Sequence, residues 1–222
     1  EVAVILQDGI RRMYGPEQEN VFYYLTLMNE NYAQPAMPEG AEEGIRKGIY
    51  KLEENAGAKA HVQLMGSGTI LNEVRKAGQI LSEEYGIGSD VFSVTSFNDL
   101  ARDGQDVERF NMLNPTSDAK VPYITSVLGE SPAIAATDYM KNYAEQVRAY
   151  MPSASFKVLG TDGYGRSDSR ENLRRHFEVN AGYVVVAALT ELVKQGKVDA
   201  SVVADAIKKF DIDTTKTNPL YA

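Results

Sequence analysis

Residues 60–97, "AHVQLMGSGTILNEVRKAGQILSEEYGIGSDVFSVTSF", decide the fold, because two strand-like runs flank one helix-like run. "AHVQLMGSG" (60–68) reads as a strand ending in a glycine-rich turn. Ile70, Val74, Ala77 and Leu81 then stand four, three and four apart, which predicts an amphipathic helix over 69–85. Gly86 and Gly88 close it, since a chain leaving a helix needs positive φ. "DVFSVTSF" (90–97) supplies the second strand. Strand, helix, strand is a βαβ unit, whose two strands lie parallel with a right-handed crossover.

The same alternation continues downstream. A polar stretch over 98–120 has a helical middle at 105–113, and "PAIAATDY" (132–139) reads as a strand leading into a helix that ends at Tyr150. "FKVLG" (156–160) is a further short strand. Asp168 and Glu171 are spaced as a capping box for a helix over 169–177. Asn180 is placed to cap a longer helix whose core face is Ala181, Val184, Val185, Ala188, Leu189 and Leu192. A last helix covers about 199–210. Upstream, the first residues read as a helix stopped by Tyr14-Gly15-Pro16, and "NVFYYLTLM" (20–28) reads as a buried strand. "QPAMPEG" (34–40) interrupts all regular structure and marks a boundary between two domains, and 41–54 reads as helix. Strands alternating with helices give an α/β fold built on a mostly parallel sheet.

Composition narrows the function. The chain has 222 residues, no cysteine, two histidines and a formal net charge of −8. Disulfides, thiolate metal sites and cysteine nucleophiles are excluded, and a zinc site built from several histidines is disfavoured. An acidic chain is poorly suited to the phosphates of nucleic acid. No apolar run reaches the length of a membrane span. The start, Glu-Val-Ala-Val, carries neither Met nor a signal sequence, so the chain is expected to be cut from a longer one and to be cytoplasmic.

Three stretches could carry chemistry. "GSG" (66–68) could cradle a phosphate at a strand-to-helix turn, but the dinucleotide fingerprint needs glycine at 71, where Leu71 stands. "GTDGYGRSDSRENLRRHF" (160–177) sets Arg166, Arg170, Arg174 and Arg175 among Asp162, Asp168 and Glu171. Near-neutral balance favours a salt-bridged corner between strand and helix over an anion clamp. His176 lacks an orienting acid in sequence and reads as structural or interfacial, and His61 at a strand start reads as structural. Asn29, Glu30 and Tyr32 follow a buried strand and can line a pocket or satisfy a domain junction. The residues expected at a pocket or interface are therefore Asn29, Glu30, Tyr32, Arg166, Arg170 and His176. None is assigned a catalytic, cofactor-binding or metal-binding role.

"VAVILQDGIRRMYG", "NVFYYLTLMNENY", "PAMPEGAEEGIRKGIYKLE", "VTSFNDLARDGQD" and "LGTDGYGRSDSRENLRRHFEV" resemble the carboxy-terminal part of the homodimeric bacterial pyruvate dehydrogenase E1 component. That family belongs with the thiamine diphosphate enzymes of the transketolase superfamily, and the resemblance runs along essentially the whole chain. It implies a three-layer αβα domain like the transketolase C-terminal domain over 37–222, preceded at 1–36 by the tail of the pyrimidine-binding, or middle, domain. It implies a parent that decarboxylates pyruvate and reductively acetylates the lipoyl group of the acetyltransferase E2. Thiamine diphosphate and magnesium would sit between the first two domains of opposing protomers. The family's cofactor motif is Gly-Asp-Gly followed later by Asn, and "QDGI", "RDGQ" and "TDGY" all lack the leading glycine.

Two readings follow. In the first, the chain is an architectural piece of an E1 enzyme, inactive alone, with a second protomer and E2 as partners. In the second, it is an independent anion- or nucleotide-binding module using "MGSG" and the 160–177 loop. The first also predicts that the strand at 20–28, deprived of its own sheet, drives self-association.

Overall fold

The computed structural model describes residues 1–29 and 31–222; Glu30, one of the expected site residues, lies outside the described residues. Strand β1 (Ile49–Asn55), β2 (Ala60–Gly66), β3 (Ile87–Val94), β4 (Ala133–Ala136) and β5 (Phe156–Leu159) form one sheet ordered β1-β3-β2-β4-β5. β2, β3, β4 and β5 run parallel, and β1 closes one edge antiparallel to β3. β2 and β3 are joined by helix α3 (Ile70–Ile80) and a π-wound turn, Leu81–Tyr85, as the spacing predicts. Gly86 takes positive φ (69°) at its end, whereas Gly88 is already inside β3.

Side chains alternate along each strand, so the sheet has two cores. On one face Val62, Leu64, Ile87, Val91 and Ile134 pack with α3 and helix α8 (Ala181–Lys194), with helix α9 (Ala200–Lys209) adding Ala206. On the other, Met65, Phe92, Val94, Ala135 and Val158 pack with helix α4 (Phe97–Leu113), α5 (Tyr123–Val127) and α6 (Asn142–Glu145). The architecture is thus three-layered, helices covering a mostly parallel sheet on both faces.

Several elements differ from the sequence expectation. The run 41–54 is not one helix: α2 (Glu42–Lys47) ends at Gly48, which takes φ 104°, and the chain turns back as β1. A Cβ on Gly48 would lie 2.6 Å from the Ser96 carbonyl, so only glycine allows this reversal. β3 begins and ends three residues earlier than expected. Ser96 caps α4 by accepting from the Asp99 amide, and α4 therefore starts eight residues before the expected 105. The predicted helix up to Tyr150 is only α6 and a 3-10 turn at Arg148–Tyr150. Helix α7 (Arg170–His176) is capped by Ser169, which accepts from the Asn172 amide, and not by Asp168. Asp168 instead accepts from the Ser169 amide and the Asn172 side chain. Asn180 caps α8 as expected.

Residues 20–28 do not form a strand. They run extended, and no main-chain hydrogen bond joins 22–28 to another described residue. β-forming composition records how well side chains suit a pleated sheet, and this segment has no sheet beside it in the chain. It packs instead on helix α1 (Val2–Tyr14). The Tyr23 ring lies where a Cβ on Gly9 would come within 3.2 Å, which explains a glycine inside this helix. α1 in turn docks Val4 and Ile5 against Ala41, Ile45 and Tyr50.

Candidate functional site

β2 is the point where the chain changes direction across the sheet: β3 lies to one side of it and β4 to the other. In such sheets the loops leaving adjacent strands diverge at the carboxyl ends and open a crevice, the usual ligand position. Here the crevice between β2 and β4 is closed at its base, where Ser67 Oγ donates to Thr137 Oγ1 at 2.8 Å. Thr161 Oγ1 donates to the Asp138 carbonyl at 2.9 Å, and Asp162 accepts from the Lys141 amide at 2.9 Å, which fixes the start of the 160–177 corner. A Cβ on Gly66 would stand 2.7 Å from Leu71 Cα, so this glycine serves close packing of β2 against α3. Gly68 needs positive φ (55°) for the turn.

The chain's own first segment covers the same carboxyl edge. Glu1 accepts from the hydroxyls of Tyr50 and Ser93, and Ser93 pairs with Gly66, the last residue of β2. Arg170 donates to Asn29 Oδ1 at 2.7 Å, and Arg174 donates to the Tyr32 hydroxyl at 3.2 Å. Arg174 also meets Glu73, in the first turn of α3, at 3.0 Å, while the other Glu73 oxygen accepts from the Ala181 amide at 2.9 Å. Burial works against the Arg174 charge, but Tyr32 and Glu73 outweigh it and hold the guanidinium more firmly protonated.

Of the expected site residues, Asn29, Tyr32 and Arg170 come together on this edge. Arg166 and His176 are close enough to influence each other but lie outside the Tyr32–Arg174 contact. Burial, with the nearby charges of Arg166 and Lys216, lowers the His176 pKa. Its Nε2 is buried without a partner and its ring packs edge-on against Phe177. Among the described residues no acid hydrogen-bonds to it, as a general base would need. Asp138 is pushed upward by the surrounding protein and pulled down by Arg174 and Arg170. It remains exposed, so solvent screens much of this.

Two of the four arginines of the corner pair with distant acids in place of the local ones expected: Arg174 takes Glu73, and Arg175 takes Asp211 at 2.7 Å. Asp162 and Asp168 bind Lys141 and Asn172 instead. Sequence reading overlooked Glu73, Glu1 and Ser93. Glu73 sits 101 and 108 positions from its partners and resembles any polar residue of an amphipathic helix. His61 pairs with Asp90 at 3.2 Å, away from this edge. Among the described residues no group of three or more His, Asp or Glu could hold a metal ion, and no helix is long and apolar enough to cross a membrane.

Residues 48–180 match the family described as transketolase-like TK C-terminal domain, and residues 1–35 match the pyruvate dehydrogenase E1 component middle domain. The chain is 66% identical over 222 residues to the pyruvate dehydrogenase E1 component of Escherichia coli K12, covering all of this chain and 25% of that protein. It is 61% identical over 224 residues to the Haemophilus influenzae protein of the same name and 56% identical over 223 residues to that of Pseudomonas aeruginosa, covering 100% and 99% of this chain and 25% of each relative. The chain thus spans a quarter of the length of these curated relatives. A transketolase structure from Pichia stipitis overlays with a TM-score of 0.49 at 20% identity, covering 71% of this chain and 20% of that one. The chain belongs to the transketolase-like C-terminal domain family, in the form carried by pyruvate dehydrogenase E1 components.

Proposed function

We propose that this chain is an architectural part of a pyruvate dehydrogenase E1 enzyme, in which residues 37–222 form the third domain and residues 1–36 the end of the middle domain. The parent would oxidatively decarboxylate pyruvate with thiamine diphosphate and magnesium, and reductively acetylate the lipoyl group of E2. It would act as a dimer in the cytoplasm. One observation carries the architectural role: the carboxyl edge of the sheet, where an α/β domain holds its ligand, is covered by Glu1, Asn29 and Tyr32 of the same chain.

The residues present do not fit the cofactor. Each Asp-Gly pair is committed to structure: Asp8 binds Tyr23 and Arg11, Asp103 accepts from the Tyr123 amide, and Asp162 holds Lys141. Their glycines are enclosed as well, Gly104 against the Tyr150 ring and Gly163 against the Pro219 carbonyl. No step of the carbon chemistry is therefore assigned to this chain. Asn29, Tyr32 and Arg170 serve the junction, and Arg166 and His176 the surface beside it. The isolated chain should neither decarboxylate pyruvate nor bind thiamine diphosphate in calorimetry. Substantial activity without the rest of the enzyme would refute the role.

A further inference from the structure

Arg174 stands where the first segment meets three helices. It lies on α7, and one guanidinium nitrogen reaches Glu73 on α3 while the other reaches Tyr32. Glu73 is committed twice, because its second oxygen holds the first amide of α8. It cannot follow a moving Arg174 without releasing that amide. The two charged side chains keep only 17% and 19% of their surface in solvent. A pair this enclosed is costly to leave half-made, unlike the exposed pair of Arg175 with Asp211.

We infer that Arg174 and Glu73 couple the docking of the first segment to the ordering of the corner: with Tyr32 seated, α7 and the start of α8 are held, and losing that contact loosens all of them together. Tyr32 is then a positioning residue, reporting the attachment of residues 1–36 to the rest of the domain. This deepens the docking role proposed above and rests on it for its meaning in the parent enzyme.

Hydrogen exchange on the full 222-residue chain tests the coupling. Tyr32→Phe deletes only the hydroxyl. It should speed amide exchange about fivefold or more in residues 169–182 as well as in 31–36. Glu73→Gln should speed exchange over 169–182 similarly. Tyr164→Phe, on the same corner but 83% exposed, should change neither region. If the Tyr32→Phe effect stays within 31–36, the coupling is wrong and the docking role survives. Activity in the isolated chain would remove the docking role and leave the coupling standing.

Discussion

The Ser93 hydroxyl, on a residue only 2% exposed in β3, donates to the Glu1 carboxylate at a separation of 92 positions. Tyr50 donates to the same oxygen at 2.8 Å. Burial first, and then the neighbouring Glu1 charge, raise the Tyr50 pKa well above its usual value, so the phenol remains a donor throughout the ordinary pH range. The contact ties the amino end of α1 to the end of the sheet that would otherwise face a ligand. Ser93→Ala should lower stability by about 1–2 kcal/mol, since it removes the hydrogen bond from a buried hydroxyl to the Glu1 carboxylate. Thermal unfolding checks this. A Tm equal to that of the parent chain would mean that Glu1 does not hold the edge.

The glycine turn after β2 offers a second check. A nucleotide-binding turn would tolerate Gly66→Ala in the absence of ligand and lose affinity in its presence. In this fold the added methyl meets Leu71 Cα at 2.7 Å, so the cost falls on folding. Gly66→Ala should destabilise by about 1–3 kcal/mol. Gly165→Ala, with nothing within 4 Å of the new Cβ and no positive φ, should be nearly neutral. Denaturant midpoints for the two variants separate these outcomes.

How much of this was legible in sequence depended on how local the cause was. The βαβ unit at 60–97 was, because its helical spacing and its closing glycine sit within one window. The cap at Asn180 was equally local. β1 was hidden because "KGIYKLEE" is rich in helix formers, and only pairing with β3 makes it a strand. The reverse error at 20–28 has the same origin: its side chains suit a sheet that this chain does not place beside them. Asn29, Tyr32 and Arg170 could be suspected from their position between elements. Glu73 could not, because nothing near it in sequence distinguishes it from its solvent-facing neighbours.

His176 makes stability depend on pH in a defined direction. Burial, Arg166 and Lys216 lower its folded pKa below the usual 6.5, and Glu178 only partly offsets them. A lowered histidine pKa means the folded state resists the proton. Its contribution is therefore fully present above the unfolded pKa, and is lost as pH falls from about 6.5 toward the folded value. His176→Gln should lose less stability than the parent chain between pH 7.5 and pH 5.5, windows chosen on about one pH unit either side of the unfolded value. Identical pH slopes for the two chains would show that this ring is not what the protons find.

Asp8 gives a complementary slope at lower pH. Burial tends to raise its pKa, but hydrogen bonds from Arg11 and Tyr23 and the charges of Arg11 and Arg46 outweigh it and lower the value. A lowered carboxylate pKa stabilises the fold above its unfolded value, and that stabilisation fades as pH falls through the folded one. Asp8→Asn should therefore be less stable than the parent chain at pH 7, with the gap narrowing in acid. Because Asp8, on α1, accepts from the Tyr23 hydroxyl, the variant should also free the extended segment, seen as faster proteolysis within 20–28. Equal proteolysis rates would argue that Gly9 packing and the Arg12 hydrogen bond to Tyr23 retain it without Asp8.

The extended segment leads to the last prediction. Phe22, Tyr24 and Leu27 are 87%, 85% and 69% exposed, and Leu6, Ile10 and Tyr14 line an exposed side of α1. The main chain of 22–28 has no hydrogen-bond partner among the described residues. Extended, apolar and unpaired backbone is a template for another strand, and an isolated solution of this chain offers only further copies of itself. Light scattering should show concentration-dependent association. Phe22→Lys with Tyr24→Lys should suppress it without lowering the unfolding midpoint, because neither side chain is buried within the chain. Charges at these two positions disfavour pairing while leaving Tyr23 on Gly9 and Asp8. A strictly monomeric parent chain at high concentration would show that the segment is already satisfied. Association that persists in the double variant would place the contact on another surface.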